Sequence, residues 1–134
     1  MIGFDFDEDL DALQRAQDEG IEVPILKPGT QDVMLTIRVC GPDSAQAGRA
    51  LERDAEERLA APTPPTREES ADRSARLLAR HCMSWDAKTT GGEPVPFTED
   101  AAFEALRRFP VLRVAVDRVA GSRDLFAARV RAGQ

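Results

Sequence analysis

The sequence has no tyrosine, and aromatic residues make up only 5% of its 134 positions. This argues against the base-stacking platforms and aromatic-rich pockets on which much single-strand and ligand recognition rests. Histidine occurs once, at His81. With no second histidine and no acid at ligand spacing, it reads as a packed or half-exposed helix residue, not a metal ligand or catalytic base. The two cysteines, Cys40 and Cys82, are far apart and share no CxxC or Cys-His spacing. In a reducing compartment both read as small buried apolar residues. No run approaches the roughly 18 apolar residues of a membrane span. The N-terminus, MIGFDFDEDLD, is acidic where a signal peptide would be basic. A cytoplasmic protein with no membrane partner is expected. No enzyme motif, metal cluster or phosphate loop is present. Ser44 and Ser84 lack a base in any recognisable arrangement, and the carboxylates sit on solvated faces, so neither catalytic residues nor cofactors are expected.

Charge is plentiful but unevenly placed. The net charge is −6 and the pI about 4.8. Residues 1–20 set Asp5, Asp7, Glu8, Asp9, Asp11, Asp18 and Glu19 against Arg15 alone. Residues 105–134 set Arg107, Arg108, Arg113, Arg118, Arg123, Arg129 and Arg131 against Asp117 and Asp124. The chain therefore has an acidic head and a basic tail. Either these are solvated helix faces that differ, or head meets tail, within a subunit or between neighbours. The arginines could track phosphates, yet the acidic balance and the lack of a helix-turn-helix or zinc pattern argue against nucleic acid.

Periodicity divides the chain into elements. Residues 5–19 place Phe6, Leu10 and Leu13 on one stripe, with acids in the first turn and Gly20 as the stop, which predicts a helix within 1–20. Ile21, Val23 and Ile25 alternate with polar positions, and so do Val33, Leu35, Ile37 and Val39. A Pro28-Gly29 turn lies between them, so residues 21–40 read as an antiparallel hairpin. Pro24 marks its first strand as an edge. Asp43 or Ser44 caps a helix over 43–60 whose apolar stripe, Ala47, Leu51, Ala55 and Leu59, is thin enough to need a partner. Residues 61–70, around APTPPT, read as a flexible linker. A helix is expected from about Glu68 to Ser84, with Ala71, Ala75, Leu78, Cys82 and Trp85 on one side. Thr98 caps the next helix, and Pro110 starts a last one carrying Leu112, Val116, Val119, Phe126 and Val130, interrupted or kinked at Gly121-Ser122. The expected fold is a single α+β domain over 1–134, mainly α-helical, with one antiparallel β-hairpin near the N-terminus and a helical C-terminal part over 71–132.

One loop stands out: WDAKTTGGEPVPF, residues 85–97. On chemistry alone it is a connector between two anchors. Trp85 ends one element, Gly91-Gly92 lets the chain turn, and Phe97 staples the next helix. The wider stretch LLARHCMSWDAKTTGGEPVPFTEDAAFEALRRFPVLRVAVDRVAGSRDLF resembles the C-terminal signature of the tail assembly chaperones of long-tailed phages. The matching positions are Trp85, Gly92, Pro94, Val95, Pro96, Phe97, Thr98, Leu106, Pro110, Leu112 and Phe126. The earlier VMLTIRVCGPDS is similar to the strand and G-x-D-S segment of the same proteins, and together these cover roughly residues 21–130. The acidic first twenty residues and the APTPPTREES insertion depart from the pattern. The resemblance implies a non-catalytic protein that coats the tape measure protein, ahead of polymerisation of the tail tube protein, in the host cytoplasm, and is absent from the mature virion. A frameshifted longer form often accompanies such proteins. Candidate partner-binding residues are Trp85, Pro94, Val95 and Phe97 in the loop and Leu51 and Leu59 on the thin stripe, by helix-in-groove binding. A homo-oligomer is expected, joined through the hairpin edge or head to tail. The alternative is a structural tail completion or connector subunit of the virion.

Overall fold

The computed structural model of the chain describes residues 6–132, without the side chain of Phe6. Asp5 and the Phe6 side chain, both placed on the first helix by the sequence, lie outside the described residues. Among the described residues the order is α1 (Phe6–Glu19), β1 (Ile21–Leu26), β2 (Val33–Val39), α2 (Ala45–Ala60), α3 (Arg67–His81), β3 (Cys82–Trp85), α4 (Glu99–Arg108), α5 (Pro110–Ala120) and α6 (Arg123–Arg131). This is a mainly helical α+β fold.

The alternating residues of β1 and β2 pair antiparallel from Ile21↔Val39 to Leu26↔Val33. The turn between them is type II: Thr30 N–H donates to the Lys27 carbonyl at 3.0 Å, and Gly29 takes the required positive φ of 78°. A bulge between Ile25 and Leu26 throws the turn end of the hairpin off register, and Val33 and Met34 are exposed there. The inward face holds Val23, Ile25, Ile37 and Val39. It packs against Ala75, Leu78 and Ala79 of α3, Leu106 of α4, Leu112, Val116 and Val119 of α5, and Phe126 of α6.

Three expectations need correction. The sheet has three strands in the order β1-β2-β3, with β1 at one edge as Pro24 implied. The helix expected to run to Ser84 stops at His81, because Cys82 turns extended (φ −78°, ψ 143°) and the next residues pair with β2 through Ile37↔Trp85 and Val39↔Cys82. A hairpin with an open second edge leaves backbone groups unpaired, and residues 82–85 satisfy them. The linker is also shorter than 61–70. Thr66 caps α3 with a reciprocal capping box to Glu69, so helix begins at Arg67.

Helix ends follow the sequence elsewhere. Ser44 caps α2, Thr98 caps α4 and Pro110 opens α5. The last helix is interrupted at Gly121-Ser122, and the Ser122 hydroxyl caps α6 by accepting from Leu125 N–H. The break turns Phe126 inward to full burial. Between α1 and β1 only glycine fits: Gly20 sits at φ 82°, and a Cβ there would lie 2.8 Å from the Val39 carbonyl oxygen. That turn brings α1 back against α6, so the acidic head and the basic tail meet within one chain.

Phe126 is the largest fully buried side chain among the described residues. Phe126→Ala is expected to cost about 3–5 kcal/mol, read as a lower denaturant midpoint at unchanged slope.

Candidate protein-interaction surface

The loop after β3 folds on itself as a short ribbon. Thr89 N–H donates to the Glu93 carbonyl at 2.8 Å, Val95 N–H to the Ala87 carbonyl at 2.8 Å, and Gly92 closes the tip at φ 82°. Asp86 ties the ribbon to β2 from both sides. Its N–H donates to the Thr36 carbonyl at 3.2 Å, and its carboxylate accepts from Thr36 N–H at 2.6 Å. Trp85 anchors the base: the indole N–H donates to the Val95 carbonyl at 2.7 Å, and its ring meets Phe97 edge-on with centroids 5.4 Å apart. Both rings are half-buried against the core, Val95 is half-buried, and Pro94 is exposed at the rim. The aromatic anchors are thus spent within the chain, and the loop offers outward mainly its tip and Pro94.

Helix α2 presents the reverse case. Its buried face is Ala47, Ala50 and Asp54, not the Leu51–Leu59 stripe read from apolar spacing. Leu51 is 51% exposed and Leu59 88%. Apolar volume predicts leucines inward, but small residues let α2 approach α3 closely and polar groups bind it there. The Gln46 amide donates to the Arg80 carbonyl at 2.8 Å and to the Cys82 carbonyl at 2.9 Å. Arg80, buried on α3, donates through Nη1 and Nη2 to the two Glu57 oxygens at 2.9 Å each. Hydrogen bonding to that guanidinium holds the Glu57 carboxyl below its usual range, and the same bond raises Arg80. The start of α4 joins this cluster. Glu99 lies 3.5 Å from Arg80 and 3.1 Å from Arg76, which also reaches Asp100 at 2.8 Å and stacks 4.0 Å above the Phe103 ring.

A second ionic junction closes the other end. Arg123, opening α6, makes a forked pair with Asp43 at 2.7 and 2.8 Å, while the Gln14 and Gln17 amides of α1 donate to the Asp43 carbonyl and carboxylate. The Arg123 bond is the main reason the Asp43 carboxyl sits below its usual range. Sequence spacing cannot reveal this contact, since its partners lie 80 residues apart.

The single histidine and both thiols are packed. His81 Nδ1 lies 2.8 Å from the Leu77 carbonyl, which fixes the proton on that nitrogen. Burial raises the thiol of Cys40, and pushes that of Cys82 up to about 12 with the Cys40 charge adding to it. The structure therefore separates the sequence's candidates. Trp85, Val95 and Phe97 cluster around the ribbon base with Pro94 beside them, whereas Leu51 and Leu59 lie outward on α2. Among the described residues no helix is long and apolar enough to cross a membrane. No protein-family model matches the chain, and neither the curated proteins nor the solved structures contain a significant match.

Trp85→Phe keeps the ring but strands the Val95 carbonyl, and a loss of about 0.5–1.5 kcal/mol is expected by urea unfolding. A depressed carboxyl stabilises the fold above its unfolded pKa and loses that contribution as pH falls through the folded one. Glu57→Gln should therefore lower stability at neutral pH and flatten its decline below about pH 4.5, the carboxyl's ordinary value. Denaturation midpoints between pH 3 and 7 (on the order of the carboxylate range) would show no change in slope if the pair were irrelevant.

Proposed function

We propose that this protein is a non-catalytic tail assembly chaperone of a long-tailed phage or prophage, which holds the tape measure protein in the host cytoplasm while the tail tube forms. The observation that carries the reading is the α2 surface. Leu51, Ala55 and Leu59 follow one another at helical spacing on the outside of the molecule. An apolar row of this spacing suits an amphipathic helix, which is the form expected of a long tape measure segment. The Trp85–Phe97 ribbon supports the reading through its sequence resemblance and stiffens the neighbouring α3–α4 junction. Pro94 at its rim is the part of the ribbon available to a partner. The same leucine row can join copies of the chain, which is how a homo-oligomer would line a long partner.

The test is co-expression with the tape measure protein encoded beside it, affinity capture, and light scattering of the eluate. Retention in a multi-subunit complex is expected. Leu51→Asp with Leu59→Asp should reduce retention at least about tenfold, the scale of losing a central apolar contact, with thermal stability kept because both side chains are exposed. Capture unaffected by these changes would sink the α2 assignment. Finding the protein in purified particles instead would make it a structural tail completion or connector subunit.

A further inference from the structure

A cleft of about 360 Å³ opens between α2 and α3, lined by Gln46, Arg49, Ala50 and Arg53 of α2, Arg80 of α3 and Glu99 of α4. We propose that this cleft is a carboxylate-binding site, taking a glutamate or aspartate side chain from an acidic segment of a protein partner.

Three observations converge on it. Arg49 and Arg53, one turn apart on α2 and both lining the cleft, make no hydrogen bond or close ion pair among the described residues. Like charges four residues apart on a helix repel, a cost that the attraction between Arg53 and Glu57 offsets in part. At the floor, buried Arg80 spends Nη1 and Nη2 on Glu57, but its Nε–H has no hydrogen-bond acceptor. Glu99 is 3.5 Å from that nitrogen without meeting hydrogen-bond geometry. Arg80 is thus charge-paired with Glu57 and Glu99, but a buried N–H without an aligned acceptor is rare and marks a place where one fits.

The charge balance selects the class of ligand. Arg49, Arg53 and Arg80 face two carboxylates, Glu57 and Glu99, which leaves one positive charge. A single carboxylate neutralises it, and guanidinium forks match carboxylate oxygens in a plane. A phosphate dianion would overshoot that balance and crowd Glu99. The two exposed arginines form the mouth and Arg80 the floor, so the group that enters is carried on a side chain reaching in from outside. The site lies on a different side of α2 from the leucine row and stands or falls independently of the tape measure reading.

The test is a titration of the full-length ¹⁵N-labelled protein, following the arginine Nε–H resonances. The probes, at matched ionic strength, are a capped tripeptide with a central glutamate, its glutamine counterpart, inorganic phosphate and sodium chloride. Saturable shifts of the Arg53 and Arg80 signals with the glutamate peptide alone are expected. Arg49→Gln with Arg53→Gln should weaken that binding at least about tenfold, the scale of losing one charge-assisted contact. Its melting temperature should hold, since neither side chain makes a hydrogen bond or close ion pair among the described residues; Arg53→Gln alone provides a milder second variant. Equal shifts with the glutamine peptide or with chloride would overturn the proposal, as would their absence. Tighter binding of phosphate would overturn the carboxylate assignment.

Discussion

The guanidinium of Arg80 is the fixed point of the helical layer. Buried on α3, it holds Glu57 of α2 in a two-oxygen fork and lies beside Glu99 at the head of α4. A charge removed from water must be compensated where it stands, so three helices are constrained to meet around it. The arrangement also explains the unusual surface of α2. A helix whose inner face is alanine gains little from burial, and it is attached here by directional polar bonds from Gln46 and Glu57. Its leucines are consequently left outside.

Elsewhere the layer is held by ordinary apolar packing. The sheet offers Val23, Ile25, Ile37 and Val39 to α3, α5 and Phe126, and each such side chain contributes on the order of 1.5–3 kcal/mol on burial. The Asp43–Arg123 fork then joins α6 to the start of α2, with α1 bonded to the same aspartate. The pair is partly exposed, so its value lies more in fixing where α1 and α6 meet than in net stability. The acidic head and basic tail are therefore engaged with the body of their own chain before any second copy is considered.

Local chemistry was legible wherever one principle acted alone. The two-residue period of Val23–Ile25 and Ile37–Val39, the Pro28-Gly29 turn, the caps at Ser44 and Thr98 and the helix start at Pro110 all lie where spacing places them. Strand β3 was hidden because Cys82 and Trp85 continue the helical spacing of Ala75 and Leu78. Only the open edge of β2, a tertiary fact, decides that they pair as strand. The inner face of α2, Ala47, Ala50 and Asp54, was not legible because small and polar residues give no apolar stripe, and the polar clamp that holds it to α3 is a tertiary fact. Arg80–Glu57 and Asp43–Arg123 join residues 23 and 80 positions apart, beyond the reach of periodicity. At the candidate surface, spacing could not separate rings spent on the core from leucines left in water.

The ribbon base has one more consequence. Without tyrosine, and with one tryptophan in the chain, near-ultraviolet emission comes from a single place: the Trp85 indole, held between the Val95 carbonyl and the edge of Phe97. Far-ultraviolet dichroism is dominated by helix, which the described residues form in six segments. The two signals therefore watch separate parts of the molecule without any label. Coincident transitions would mean that ribbon and helices melt as one cooperative unit, and an earlier loss of emission order would mark the ribbon as a separately opening segment.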